Sequence, residues 1–307
     1  MLLCGCASAS HSADLAPTPL VVHGALGVVE VGPVHLTVER LYPPGTKVQQ
    51  GGIATLIGAN PPDLATNAET QVLRAPVERS DLRIILTVAD GLYRIVGRKS
   101  AGISTVADLK GKRIATSIQS SSGYFLHRML AREGLTFADV TVKDVMPYKA
   151  MVDALKNGEV DAISIWEPHS ENAMRALGGD AIEFPGDGVY REIFNLNTTA
   201  PNLADPAKRA RIVEFVRALI DTTAAMNRDP RRAQELVAAA GGYTLDEVQA
   251  SWKHHAFTAT FPEDMLDVMV DEEKWLAALQ QRAPRSRDQL ARLIDRSVYD
   301  EARAPRR

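Results

Sequence analysis

The sequence predicts an α/β fold, and three observations carry that prediction. Between residues 113 and 165, short β-prone runs alternate with amphipathic helical runs, as parallel βαβ units require. The region before it has the same alternation, whereas the chain beyond about residue 200 turns helical. The 307 residues suffice for two domains, or one large one, with a sizeable core.

Leu20-Val21-Val22 reads as a strand, and a first helix is expected over residues 30–42. Asp63-Leu64-Ala65-Thr66-Asn67 reads as a short strand running into a helix near residues 68–73. Arg83-Ile84-Ile85-Leu86-Thr87-Val88 is strongly β-prone, and residues 92–96 give another strand, with Gly91 and Gly97 as punctuation. Arg113-Ile114-Ala115-Thr116 is a strand, followed by Ser120-Ser121-Ser122-Gly123. A helix over 124–133 then carries Phe125, Leu126, Met129 and Leu130 on one face and closes at Gly134. Thr136-Phe137-Ala138-Asp139 has capping-box spacing, and Val140-Thr141-Val142 alternates as a strand. A helix over 148–157 stops at Gly158, and Ala162-Ile163-Ser164-Ile165 is the next strand. Asp205-Pro206 opens a long helix through Ile212, Phe215, Val216, Leu219 and Ile220. Helices over 231–240 and 265–281 follow, with a second capping box at Thr244-Leu245-Asp246-Glu247. The Arg- and Asp-rich tail from residue 282 is expected to fray.

Composition narrows the function. Hydrophobic residues are 45% and charged residues 24%, ordinary for a globular protein. With 35 basic and 38 acidic side chains, the net charge of −3 argues against general nucleic-acid binding. No run approaches the length of a membrane span. Catalytic sets are poor: there is no Gly-x-Ser-x-Gly elbow, His-Glu-x-x-His or phosphate P-loop. His254-His255 lies on a helix-like segment, where adjacent side chains point apart, so no metal site is expected.

Both cysteines lie in Met1-Leu2-Leu3-Cys4-Gly5-Cys6. Leu3-Cys4-Gly5-Cys6 resembles a bacterial lipobox, in which Cys6 would carry the lipid and the rest would fold outside the cytoplasm. The alternative is two stray thiols in a tail. A lipobox ordinarily follows basic and apolar leader segments, so either the start lies upstream or the match is coincidental. Residues up to 18 read as a remnant of the signal and a tether.

Three segments sit where the chain leaves a strand, the usual ligand edge of an α/β sheet. The first is Ser120-Ser121-Ser122. Its hydroxyls and the following helix N-terminus suit an oxyanion, although one serine alone would serve as a cap. The second holds Asn67, Glu69 and Thr70, which would otherwise cap the helix and pair with its dipole. The third is Ile165-Trp166-Glu167-Pro168-His169, with a flat apolar wall in Trp166 and a charge in Glu167.

Several of these residues are shared with a known family. Gly102-Ile103-Ser104-Thr105-Val106-Ala107-Asp108-Leu109-Lys110-Gly111-Lys112-Arg113-Ile114-Ala115 is similar to a segment of ABC-transporter substrate-binding proteins. It looks most like the nitrate/sulfonate/taurine group, which also holds the thiamine-pyrimidine binders. Ser120-Ser121-Ser122-Gly123-Tyr124 resembles that family's anion-binding loop. The run from Met151 through Ala154-Leu155 and Gly158 to Asp161-Ala162, then Ile165-Trp166-Glu167-Pro168 and Asn197-Thr198-Thr199, keep its order and spacing.

The resemblance implies a type II periplasmic-binding-protein fold: two α/β lobes joined by a two-strand hinge. Lobe 1 would comprise residues 19–92 plus 197–300 and lobe 2 residues 93–196, with crossings near Tyr93-Arg94-Ile95 and Phe194-Asn195-Leu196. By the same resemblance, Ser120, Ser121 and Ser122 would hold an anion. Asn67, Glu69 and Thr70 would face it, Trp166 and Glu167 would line the far side, and His23 and Gly24 would form one wall. Gly123 stands where many sulfonate binders carry a bulkier His. Two cleft carboxylates, Glu69 and Glu167, would suit an amine-bearing ligand.

The implied function is an extracytoplasmic, lipid-anchored receptor that delivers a small oxyanion-bearing solute, taurine-like or another aliphatic sulfonate, to an ABC permease and its ATPase. A monomer without cofactor or metal is expected. The alternatives are a hydroxymethylpyrimidine-type thiamine precursor or nitrate as ligand, a ligand sensor, and a pyrimidine-synthesis enzyme on the same fold.

Overall fold

The computed structural model describes residues 19–305, so Cys6 and the expected lipobox lie outside the described residues. Eleven strands are described: β1 (Val22–Gly24), β2 (Gln49–Gln50), β3 (Leu64–Ala68), β4 (Leu82–Leu92), β5 (Arg94–Arg98), β6 (Arg113–Ala115), β7 (Thr141–Lys143), β8 (Ala162–Ile165), β9 (Ala181–Pro185), β10 (Arg191–Thr199) and β11 (His255–Thr260). They form two sheets, ordered β11-β4-β10-β3-β1-β2 and β7-β6-β8-β5-β9. In the first, β1 runs parallel to β2 and β3, while β10 is antiparallel to both β3 and β4. In the second, β6 runs parallel to β7 and β8, and β5 is antiparallel to β8 and β9.

The chain passes between the sheets twice. Tyr93 separates β4 from β5, and residues 186–190 separate β9 from β10. The crossings are neighbours: Leu92 pairs with Arg191, Arg94 pairs with Pro185, and the Gly186 N–H donates to the Tyr93 carbonyl at 2.9 Å. The first crossing lies at Tyr93, where it was expected. The second does not lie near Phe194-Asn195-Leu196. Those residues are inside β10, paired on one side with β3 and on the other with β4. A strand with neighbours on both sides cannot serve as the flexible joint.

Burial explains both sheets. The central strands carry Ile84, Ile85, Leu86 and Val88 on β4 and Ile193 and Leu196 on β10. The helix Pro206–Met226 covers them with Ile212, Phe215, Val216 and Leu219, which recur at helical spacing. The second sheet is covered on one face by Phe125, Leu126 and Leu130 of the helix Ser121–Arg132. Met151, Ala154 and Leu155 of the helix Ala150–Lys156 cover the other.

Two expectations fail in instructive ways. The tail from residue 282 does not fray: helices Arg287–Ala291 and Ser297–Arg303 bury Leu290, Leu293, Val298, Tyr299 and Ala302 in the first core. Arg217 Nε of the long helix donates to the Ala302 carbonyl at 2.9 Å, which ties the tail to that helix. Residues Gly91 and Gly97 do not interrupt strands; they lie within β4 and β5.

Candidate functional site

The loops leaving β1, β3, β6 and β8 converge on one cavity of about 200 Å³ between the lobes. From the first lobe come Ala25 and Val28 after β1, Asn67 and Ala68 of β3, and Phe194 of β10. Gln71 and Arg74 of the helix Glu69–Arg74 add a polar face. From the second lobe come Ser117, Ser120 and Ser121 after β6, and Tyr148 and Trp166. Trp166 meets Tyr148 edge to face, their ring centroids 4.7 Å apart. Glu30 and Glu192 complete the wall.

The serine loop is preorganised. The helix begins at Ser121, three residues earlier than expected, because Ser120 caps it: its Oγ accepts from the Ser122 N–H at 3.3 Å. Ser120 also donates to the Ser117 carbonyl at 2.7 Å. Ser121 Oγ lies 2.8 Å from Tyr93 Oη. Ser122 is fully buried, its Oγ 3.1 Å from Thr116 Oγ1 and 3.0 Å from Ser120 Oγ. So Ser120 and Ser121 reach the cavity, while Ser122 supports them from behind. Gly123 is explained by space: a Cβ there would sit 2.1 Å from the Ile118 carbonyl oxygen. No side chain can stand at this position without displacing the Ile118 backbone.

Other expected site residues divide. Asn67 and Trp166 line the cavity. Asn67 Oδ1 also accepts from the Ile53 N–H at 2.7 Å. Glu69 does not face the cavity: it is fully buried, accepting from Tyr190 Oη at 2.6 Å and from the Ile193 N–H at 2.9 Å. Thr70 is likewise buried beneath the helix. Glu167 is claimed by Arg94, whose Nε and Nη2 donate to its Oε1 at 3.0 and 2.9 Å, while its Oε2 accepts from the Glu171 N–H. Burial, partly offset by Arg94, raises its pKa. His23 and Gly24, on β1, do not line the cavity; Ala25 just after the strand does, and His23 Nδ1 instead lies 3.0 Å from Thr55 Oγ1. The argument for an amine-bearing ligand from Glu69 and Glu167 therefore falls, since both are satisfied inside the protein.

Sequence reasoning missed Gln71, Arg74, Glu30, Glu192 and Tyr148. Gln71 and Arg74 are three apart on a short helix whose Val72 and Leu73 point to the core, a spacing that puts them on the open face. Arg74 has no ion-pair partner among the described residues. The His254-His255 pair is not helical: His255 opens β11, and its Nε2 lies 3.3 Å from Glu30 Oε1. A broader hollow on another part of the surface sets Asp187, Asp264, Asp267 and Asp271 against Arg128 and Arg191, so acids outnumber bases there.

Over 80 residues the chain is 39% identical to a protein of Escherichia coli (strain K12) described as "Putative aliphatic sulfonates-binding protein". That stretch covers 26% of this chain and 25% of the relative, so the chain matches about a quarter of that protein's length. Among solved structures, the periplasmic aliphatic sulphonate binding protein SsuA from Escherichia coli superposes with a TM-score of 0.72 at 20% identity, over 89% of this chain and 92% of that one. The alkanesulfonate-binding protein SsuA from Xanthomonas axonopodis pv. citri, bound to MOPS, gives 0.71 at 21% identity, over 92% and 100%. At these identities the likeness establishes the fold, two lobes of the periplasmic-binding-protein type. The family model described as "NMT1/THI5 like" matches residues 45–233, more than half of the sequence, and the chain belongs to that family.

Proposed function

We propose that this chain is an extracytoplasmic receptor that holds a small aliphatic sulfonate between its lobes and delivers it to an ABC permease and its ATPase. The observation that carries this reading is Arg74, a solvent-exposed cation at the cavity with no carboxylate partner among the described residues. It is free to pair with an anion that enters the cavity. The capped serine loop adds hydroxyl and N–H groups opposite, and Trp166, Tyr148 and Phe194 offer apolar surface to an alkyl chain. The named relative and the superposed structures support the same class. A single chain, with lipid on Cys6 as its tether, completes the reading.

A flat hydroxymethylpyrimidine is the second reading, favoured by the Trp166–Tyr148 pair. The test is a thermal-shift series on the purified chain with ethanesulfonate, butanesulfonate, taurine, nitrate and hydroxymethylpyrimidine. A sulfonate at a hundred times its Kd should add about 2.7 kcal/mol, a shift of a few degrees. Arg74→Ala should weaken that ligand at least about tenfold. Stabilisation by the pyrimidine or nitrate alone would overturn the sulfonate reading.

A further inference from the structure

Glu30 and Glu192 are the acidic side chains of the cavity wall, close enough that the charge of Glu30 acts on Glu192. They come from different elements, the 3-10 turn Val29–Val31 and β10, and are 2% and 4% exposed. Both lie over Gly91, where an added Cβ would come within 2.7 Å of Glu192 Oε2 and 3.4 Å of Glu30 Oε1. Neither residue's Oε2 has an N–H or O–H partner from another residue. Two carboxyl groups buried over the same glycine, with unpartnered oxygens, cannot both carry a charge without a large cost.

The surroundings decide which carboxyl keeps it. His255 of β11, its side chain 1% exposed, places Nε2 3.3 Å from Glu30 Oε1 and favours charge on Glu30. Burial opposes that charge, but His255 outweighs it and Glu30 lies below its ordinary pKa. The same partner raises His255 against its own burial. Glu192 has no such cation. It accepts from Ser121 Oγ at 3.4 Å, and Tyr93 Oη lies behind that hydroxyl. Burial first, then the charges of Glu30 and Glu69, push Glu192 well above the usual carboxylate range. The next ionisable groups outward are Glu69 with Tyr190 and Glu272, Asp90 with Arg191 on the sheet, and Glu167 with Arg94 and His254 beyond His255.

We propose that Glu192 is the specificity-determining residue of the cavity: protonated against Glu30, it admits an anion beside the serine loop, and on losing that proton it expels one. This rests on the sulfonate reading and deepens it. The neutral acid presents no charge to an ammonium group, so a plain alkanesulfonate is preferred over an aminoalkanesulfonate while the proton stays. A sulfonate keeps its charge throughout, so any pH dependence of its binding belongs to the protein.

The test is calorimetric titration of the full chain with butanesulfonate between pH 5.5 and 9.5, for the wild type and Glu192→Gln. The wild type should lose at least about tenfold in affinity as pH rises, the effect of a like charge entering the wall. The Gln variant should give a flat profile, since its amide cannot ionise. Measurable binding with a flat wild-type profile would overturn this inference and leave the sulfonate reading intact. So would an unchanged slope in the variant, which would assign the titration to His255. No binding by the folded wild type at any pH would overturn the sulfonate reading and this inference with it. Should Glu192→Gln fail to fold, the wild type alone decides: titrations in two buffers of different ionisation enthalpy must show proton uptake on binding at high pH, and zero uptake refutes the proposal.

Discussion

Glu167 and Glu192 are buried alike, 3% and 4% exposed, yet they have opposite neighbours. Arg94 clamps Glu167 and also reaches Glu171 and Glu183. Glu192 instead shares the space over Gly91 with another acid, Glu30. Placed opposite a guanidinium, a buried carboxylate becomes part of the scaffold and is closed to a ligand. Placed opposite a second carboxyl, it stays responsive to solution conditions at the wall of the cavity. What a buried acid can do is decided by its countercharge more than by its depth.

The comparison can be broken at Arg94 with the largest effect. Arg94→Met leaves the buried Glu167 and the half-buried Glu171 without their cation and should cost about 3–5 kcal/mol, read by urea unfolding. A loss below about 1 kcal/mol would remove Glu167 from the scaffold. A smaller effect is expected from Glu167→Gln. It keeps the shape but gives up a charged hydrogen bond, for about 1.5–3 kcal/mol, and should leave the pH profile of ligand binding unaltered. A changed profile would place Glu167 in the site after all.

The smallest effect sharpens the contrast within the acids. Glu272, fully buried near Glu69, is also raised well above the ordinary carboxylate range, by burial first and by the Glu69 charge next. Its contribution to stability is therefore full below the ordinary range and is lost as pH rises through the raised value. Over that window the folded chain holds a proton the unfolded chain has released, worth about 1.4 kcal/mol per pH unit. Glu272→Gln should remove this share of the slope in unfolding experiments at pH 5, 7 and 9. Because Glu272 is not part of the cavity wall, ligand binding should keep its pH dependence.

Much of the fold was legible because burial imposes a period. Runs such as Arg83 to Val88 and the 3.6-residue stripe from Ile212 to Ile220 announce their partners. The tail misled because its arginines hide apolar positions 290, 293, 298, 299 and 302, which matter only against the long helix. In the site, Ser120, Ser121, Asn67 and Trp166 could be read because each follows or ends a strand whose carboxyl end is recognisable. Glu69 misled for a rotational reason, sharing the inward face with Val72 and Leu73. Glu30, Glu192 and His255 could not be read at all. They are brought together from three distant stretches of chain, and no local pattern marks a carboxyl whose partner lies 162 positions away.

The two adjacent crossings have a mechanical consequence. Strands paired at Leu92–Arg191 and Arg94–Pro185, with the Gly186–Tyr93 bond between them, make a narrow ribbon. Hydrogen bonds resist shear within such a ribbon, while its backbone torsions yield to flexing out of plane. A pair of lobes joined in this way is free to swing like the boards of a book about one spine, which would open the cavity along the fore-edge.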